Sequence, residues 1–208
     1  DISNQAGADL FVSIHHNSMQ SVDINYNSTE TFYKMTDPGP SLDSGRLLHK
    51  HLVRNLRSKN NKFLPGNYFI LRENSRPAIL GEASHLSNPR IERKLLTPEA
   101  QLLEAQSYFL GIVDYFDRRI PRVKDLFPNK TVIDHARPTI TAIVQDEEGG
   151  AGIDPETLIL KIDGEVVKHT YTPETGQVTY TPPKPLENGE HNVSLSVRNL
   201  RGNSSEIA

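Results

Sequence analysis

Two residues of this chain are of a type and placement suited to hydrolytic chemistry, His15 and Glu82. His15 follows the apolar run Leu10-Phe11-Val12-Ser13-Ile14. Such a run reads as a strand covered on both faces, as in a parallel α/β sheet, where ligands bind beyond the carboxyl ends of the strands. Glu82 follows a second short run, Ala78-Ile79-Leu80-Gly81. An unpaired buried carboxylate is costly or has its pKa raised, so Glu82 is expected to mark the end of that strand and the edge of a cleft. An imidazole and a carboxylate at two such strand ends can share one cleft although 67 residues separate them. Together they suit a metal-assisted hydrolase, the imidazole binding the metal and the carboxylate taking a proton from water.

The elements that must position them alternate between strand and helix. Residues 16–29 are polar and rich in Asn and Ser, a loop, and Thr31-Phe32-Tyr33 is a short strand candidate. After the breaker Pro38-Gly39-Pro40, Ser41 is placed to cap a helix over about 42–57, with Leu48, Leu52 and Leu56 on one face. Tyr68-Phe69-Ile70-Leu71 reads as a further strand. Thr97-Pro98-Glu99 opens a helix that should run to about Asp117, with Leu102, Phe109, Val113 and Phe116, joined by Leu103 and Leu110, as its core stripe.

The pattern then changes. Residues 118–137 lack a period and read as a linker, and its basic cluster Arg118, Arg119, Arg122 and Lys124 reads as solvated. From Pro138 the period is two: Ile140, Ala142, Val144; Leu158, Leu160, Ile162; Val178, Tyr180; Val193, Leu195, Val197. Turn pairs Asp163-Gly164, Thr175-Gly176 and Asn188-Gly189 separate the runs, so a small antiparallel β-sandwich is predicted. The expected fold class is therefore α/β, a mainly parallel sheet flanked by helices, followed by that sandwich.

Composition narrows the chemistry. With no cysteine, any metal must be held by His, Asp or Glu. A net charge of −3 gives no electrostatic footprint for nucleic acid, and no apolar run is long enough for a membrane helix. No Gly-x-Ser-x-Gly elbow accompanies Ser13 or Ser84, which argues against a serine hydrolase. His16 should point away from His15, since adjacent strand residues face opposite sides. His49 and His51, two apart on a helix, make a poor metal pair. Asn17 is expected to cap a turn and His85 to be packed. Arg72 and Arg76 suit either a substrate carboxylate or a neighbouring acid, and Glu30 has no assignable role.

The block Ala8-Asp-Leu-Phe-Val-Ser-Ile-His-His-Asn17 resembles the Ser-Ile-His-x-Asn block of zinc-dependent N-acetylmuramoyl-L-alanine amidases of type 3. Arg76-Pro-Ala-Ile-Leu-Gly-Glu-Ala-Ser-His-Leu-Ser-Asn-Pro89 resembles that family's Pro-Ala-x-Leu-x-Glu block, and Thr29-Glu-Thr-Phe-Tyr33 a weaker feature between them. The resemblance implies His15 as a Zn2+ ligand, Glu82 as the catalytic glutamate and peptidoglycan as substrate, in a secreted or envelope-associated protein. It also implies an N-terminally incomplete catalytic domain over 1–117, with the other metal ligands expected upstream of Asp1 and this fragment alone inactive. Gly152-Ile-Asp-Pro155 with Asp163-Gly164 resembles bacterial Ig-like modules, so residues 138–208 are expected to form one. Two competitors stand beside the amidase: an inactive wall-binding or adhesion protein, and another zinc hydrolase such as a carboxypeptidase.

Overall fold

The computed structural model describes residues 2–129 and 132–208. The chain forms two compact units, residues 1–117 and 118–208.

The first unit runs α1 (Ile2–Ala6), β1 (Phe11–Asn17), β2 (Ser28–Lys34), α2 (Pro40–Leu56), β3 (Asn60–Gly66), α3 (Phe69–Arg72), β4 (Ala78–His85), α4 (Pro89–Leu95) and α5 (Pro98–Asp117). Its four strands are ordered β1-β4-β2-β3. β1 is parallel to β4 and β2 to β3, whereas β2 and β4 are antiparallel. The α/β class with a helix-flanked, mostly parallel sheet is therefore observed.

Both site strands differ from expectation in one respect. β1 is an edge strand, only half covered, and Ile14 is exposed. A residue at a sheet edge lacks a neighbour on one side, so the apolar run does not imply cover on both faces. β4 lies inside the sheet and continues past Glu82 through the buried Ala83, Ser84 and His85. Glu82 is thus within a strand, not at its end.

One face of the sheet packs Ile79 and Ala83 with Val12 against Leu48 and Leu52 of α2 and Tyr108 of α5. The other packs Ala78 and Leu80 with Phe11 and Phe32 against Leu71 of α3. α2 opens with Pro40 at its first turn, but its entry is capped by Asp37. That carboxylate accepts from the backbone N–H of Gly39 and Ser41 and from Ser41 Oγ, and Ser41 Oγ accepts in turn from the N–H of Ala78 at 2.9 Å. Ser41, expected as the cap, therefore ties α2 to β4.

Of the run Tyr68–Leu71, Phe69–Leu71 are helical and only Tyr68, the N-cap of α3, keeps an extended backbone. Arg72 N–H bonds to the carbonyl of Tyr68, and of this run only Leu71 is buried. Four successive apolar residues do not by themselves distinguish the two conformations. β3, which the pattern did not mark, is a polar edge strand carrying Pro65, as an edge tolerates.

The most instructive correction concerns α5. Leu102, Phe109, Leu110 and Val113 are exposed, and the buried side is Ala100, Glu104, Ser107, Tyr108, Gly111 and Tyr115. The reason is close helix packing: a Cβ on Gly111 would lie 2.5 Å from Leu48 Cα. Small residues bring α5 onto α2, and that turns the larger aliphatic stripe outward.

The second unit contains β5 (Arg122–Phe127), β6 (Ile140–Gln145), β7 (Ile153–Ile162), β8 (Glu165–Val166), β9 (Thr170–Thr172), β10 (Gln177–Tyr180) and β11 (Val193–Asn199). Two antiparallel sheets, β5-β6-β10-β9 and β11-β7-β8, share a core of Ile140, Ala142, Val144, Leu158, Leu160, Ile162, Val178, Leu195 and Val197. The alternating runs read from the sequence supply this core. Asp163 and Gly164 both have positive φ, as a tight hairpin between β7 and β8 requires. Within the stretch expected to be a linker, 118–137, residues 122–127 pair with β6, and residues 130 and 131 lie outside the described residues. Of the basic cluster, Arg122 pairs with Glu147 at 2.7 Å and Lys124 bonds Gln145.

Candidate active site

The register of the first sheet brings the two predicted residues side by side. His15 on β1 is the direct partner of Glu82 on β4. Direct partners on adjacent strands point to the same face, so the imidazole and carboxylate share one side of the sheet. The row continues: Glu82 is the partner of Glu30 on β2, and Glu30 of Lys62 on β3. One line of four polar side chains, His15, Glu82, Glu30 and Lys62, therefore crosses all four strands.

His16 faces the other way, as the strand period demands. Its Nε2 donates to Glu104 Oε2 of α5 at 2.9 Å, and this bond holds its pKa above the usual histidine value against the opposing effect of burial. The two adjacent histidines thus have separate roles. His15 lies on the open face, exposed, sharing a 2.8 Å hydrogen bond with Ser13 Oγ, and His16 fastens β1 to a helix.

Glu82 is half-buried. Desolvation raises its pKa, the neighbouring His15 and His16 oppose that shift, and Glu30 adds to it. Its Oε2 is buried with no hydrogen-bond partner. On the His15 side the site is open to solvent, since His15 itself is exposed. Behind it, Gly81 leaves room for Tyr108: a Cβ there would collide with the phenol. That fit sets the backbone of β4 firmly against α5.

Glu30, unassigned from the sequence, is a central member of the site. It is 6% exposed. Its carboxylate accepts from Lys62 Nζ at 2.8 Å, from Asn17 Nδ2 at 3.3 Å and from Ser28 Oγ at 3.5 Å. Asn17 also accepts from the N–H of Ser18 at 2.8 Å, so it serves both the expected turn and the site. The phenol of Tyr68 is pushed up by burial and by the negative charges of Glu82 and Glu30. A charge inside the β-forming run Thr-Glu-Thr-Phe-Tyr was the available signal for Glu30. Nothing local marked Lys62.

The remaining histidines all bond within the protein, and Arg76 keeps a buried Nε without a hydrogen-bond partner. His85 is buried, bonds the carbonyl of Ser28 at 3.2 Å and meets Tyr26 edge-on. His49 bonds Thr31 and Asn61, while His51 bonds Asp114 on α5, so the two do diverge. Arg72 pairs with Glu73 at 2.8 Å.

Among the described residues, no group of three or more His, Cys, Asp or Glu side chains is arranged to hold a metal ion. The residues fit a metal in part: one open imidazole beside a carboxylate oxygen that lacks a partner. A closed site needs further donors.

The family model described as N-acetylmuramoyl-L-alanine amidase matches residues 1–114, more than half of the chain, and the chain belongs to that family. An uncharacterized cell wall amidase of Bacillus anthracis is 33% identical over 116 residues, covering 52% of this chain and 21% of that protein. The catalytic domain of CwlV, an N-acetylmuramoyl-L-alanine amidase from Bacillus (Paenibacillus) polymyxa var. colistinus, is 32% identical with a TM-score of 0.50. It covers 56% of this chain and 62% of its own. The N-acetylmuramoyl-L-alanine amidase of Clostridium difficile 630 is 27% identical with a TM-score of 0.52, over 56% of this chain and 62% of its own. The chain thus spans only part of the length of the relatives it matches.

Proposed function

We propose that the protein hydrolyses the amide joining the lactyl group of N-acetylmuramic acid to L-alanine in peptidoglycan, with Glu82 as general base and His15 as a ligand of Zn2+. The observation that carries this is the His15–Glu82 register pair on the open face of the sheet, with one carboxylate oxygen left unpartnered. Zinc, when bound, supplies Lewis acidity toward the carbonyl and toward water. Glu82 takes a proton from the attacking water and delivers it to the leaving nitrogen as the C–N bond breaks. Its raised pKa brings the carboxylate closer to neutral pH, which favours both transfers. Asn17 and Lys62 hold Glu30 in place beside it.

In this proposal the protein works in the bacterial wall or periplasm. Residues 1–117 serve as the catalytic part, 118–137 as a connection and 138–208 as an Ig-like module that spaces the catalytic part or holds it at the wall. Two antiparallel sheets around one aliphatic core support the last assignment. No helix among the described residues is long and apolar enough to cross a membrane.

The test is digestion of purified peptidoglycan by the full-length, zinc-loaded protein. New N-terminal L-alanine is the expected product. Release of C-terminal amino acids with the lactyl–alanine bond intact points instead to a carboxypeptidase. The competing reading is an inactive wall-binding protein. Wall binding with no bound zinc and no new amine would support it.

A further inference from the structure

The polar row extends beyond the pair that the proposed hydrolysis uses. Lys62 stands on β3, two strands from Glu82, on the same face. Two inter-strand spacings put their backbones about 10 Å apart, and an extended peptide covers that distance in about three residues. The Lys62 ammonium donates to Glu30 Oε1 at 2.8 Å, and its side chain is 52% exposed. An ammonium has three donors, so the bond to Glu30 orients it while leaving donors toward solvent. Glu30 is itself held by Asn17 and Ser28, which makes the lysine's anchor rigid.

The sign of the charge matters here. Glu82 and Glu30 make the middle of the row negative, and a substrate carboxylate approaching it is repelled. Lys62 is the cation of the row at its far end. A lysine on an edge strand also discourages strand pairing, and a lysine beside a buried carboxylate also neutralises it. Neither of those roles distinguishes one ligand from another.

From this geometry we infer that Lys62 is a specificity-determining residue, receiving a free carboxylate of the stem peptide within about three residues of the scissile bond. The inference rests on the amidase reading above. The probes are muramyl-L-alanyl-D-isoglutamate and its amidated counterpart muramyl-L-alanyl-D-isoglutamine, which differ by one carboxylate. Affinities are measured by calorimetry on the full-length protein. Wild type is expected to prefer the free carboxylate about five- to tenfold, less at high salt. Lys62→Met should bring the ratio to about one, and Lys62→Arg should keep most of it. A wild-type ratio near one, or an unchanged ratio in Lys62→Met, overturns the inference. Should Lys62→Met fail to fold, the wild-type ratio, its salt dependence and Lys62→Arg still decide. Release of N-terminal L-alanine by wild type is scored separately. Active enzyme with no charge preference overturns Lys62 alone, whereas a Lys62-dependent preference without turnover overturns the amidase reading.

Discussion

The two units of this chain treat the inward positions of their strands differently. In the second, the alternating positions carry Ile140, Val144, Leu160, Val178, Leu195 and their aliphatic neighbours, and the result is one continuous core. In the first, a single register row across the sheet is polar from edge to edge: His15, Glu82, Glu30, Lys62. Two of its members are carboxylates, one of them 6% exposed and the other with a buried oxygen lacking a partner. Such a row opposes folding, since each buried charge costs solvation. The neighbouring rows, with Leu80, Phe32 and Phe11 on the same face, must offset it. Local rules of burial are kept throughout the second core and broken along this one row of the first sheet.

That contrast can be broken at its strongest point first. Glu82→Ala in the full-length protein is expected to lower turnover about 10³-fold, equivalent to about 4 kcal/mol in the barrier. Its thermal midpoint should not fall, because the change removes a carboxylate oxygen that has no partner. Turnover within tenfold of wild type would remove Glu82 from the reaction.

The corresponding change in the second unit should do the reverse. Leu160 is 1% exposed, and Leu160→Ala is expected to cost about 2–5 kcal/mol in the unfolding of that unit, read from the denaturant midpoint. A loss below about 1 kcal/mol would mean that this core is loosely packed.

Between these lies Gly111→Ala. Helix propensity alone favours alanine by up to about 1 kcal/mol. Contact with the Leu48 backbone should outweigh it, for a net loss of about 1–3 kcal/mol. Stabilisation by this variant would show that α5 does not depend on its close approach to α2.

The smallest effect is electrostatic and belongs to the second unit. His191 bonds Asp163 Oδ2 at 2.7 Å and the carbonyl of Glu187, which raises its pKa, while the same bond lowers that of Asp163. A raised histidine pKa contributes stability that is fully present below the unfolded value, about 6.5, and lost as pH rises through the folded value. The Asp163 contribution is present above about pH 4 and lost on acidification through its lowered value. His191→Gln should therefore shift the denaturant midpoint more at about pH 5.5 than at about pH 9. Equal shifts at both would show that the pair carries no charge-dependent stability.

How much was legible in advance depends on the kind of pattern. Period two in the second half marked nearly every core residue, because a strand's two faces are unambiguous once alternation is present. The apolar runs ending near His15 and Glu82 located two strands of the first sheet, although β1 is at an edge and β4 runs on to His85. Tyr68–Leu71 was ambiguous, since four apolar residues suit either conformation. Glu30 stood out as a charge within a β-forming run but had no assignable role, and Lys62 was missed because nothing among its sequence neighbours marks it. They acquire a role only as register partners.

The order of residues alone was enough to mark where most strands and helices form, that the chain changes character near residue 118, and one imidazole and one carboxylate that lie on neighbouring strands. Those are local properties, carried by periodicity, turn residues and side-chain type. Strand order and register were not local. They brought His15, Glu82, Glu30 and Lys62 into one line and sent His16 to α5. Likewise only the packing of α5 decided which of its sides is buried, because close approach to α2 through Gly111 outweighed the larger aliphatic stripe. Hydrophobicity states which residues gain from leaving water, while the shape of the partner determines which of them do.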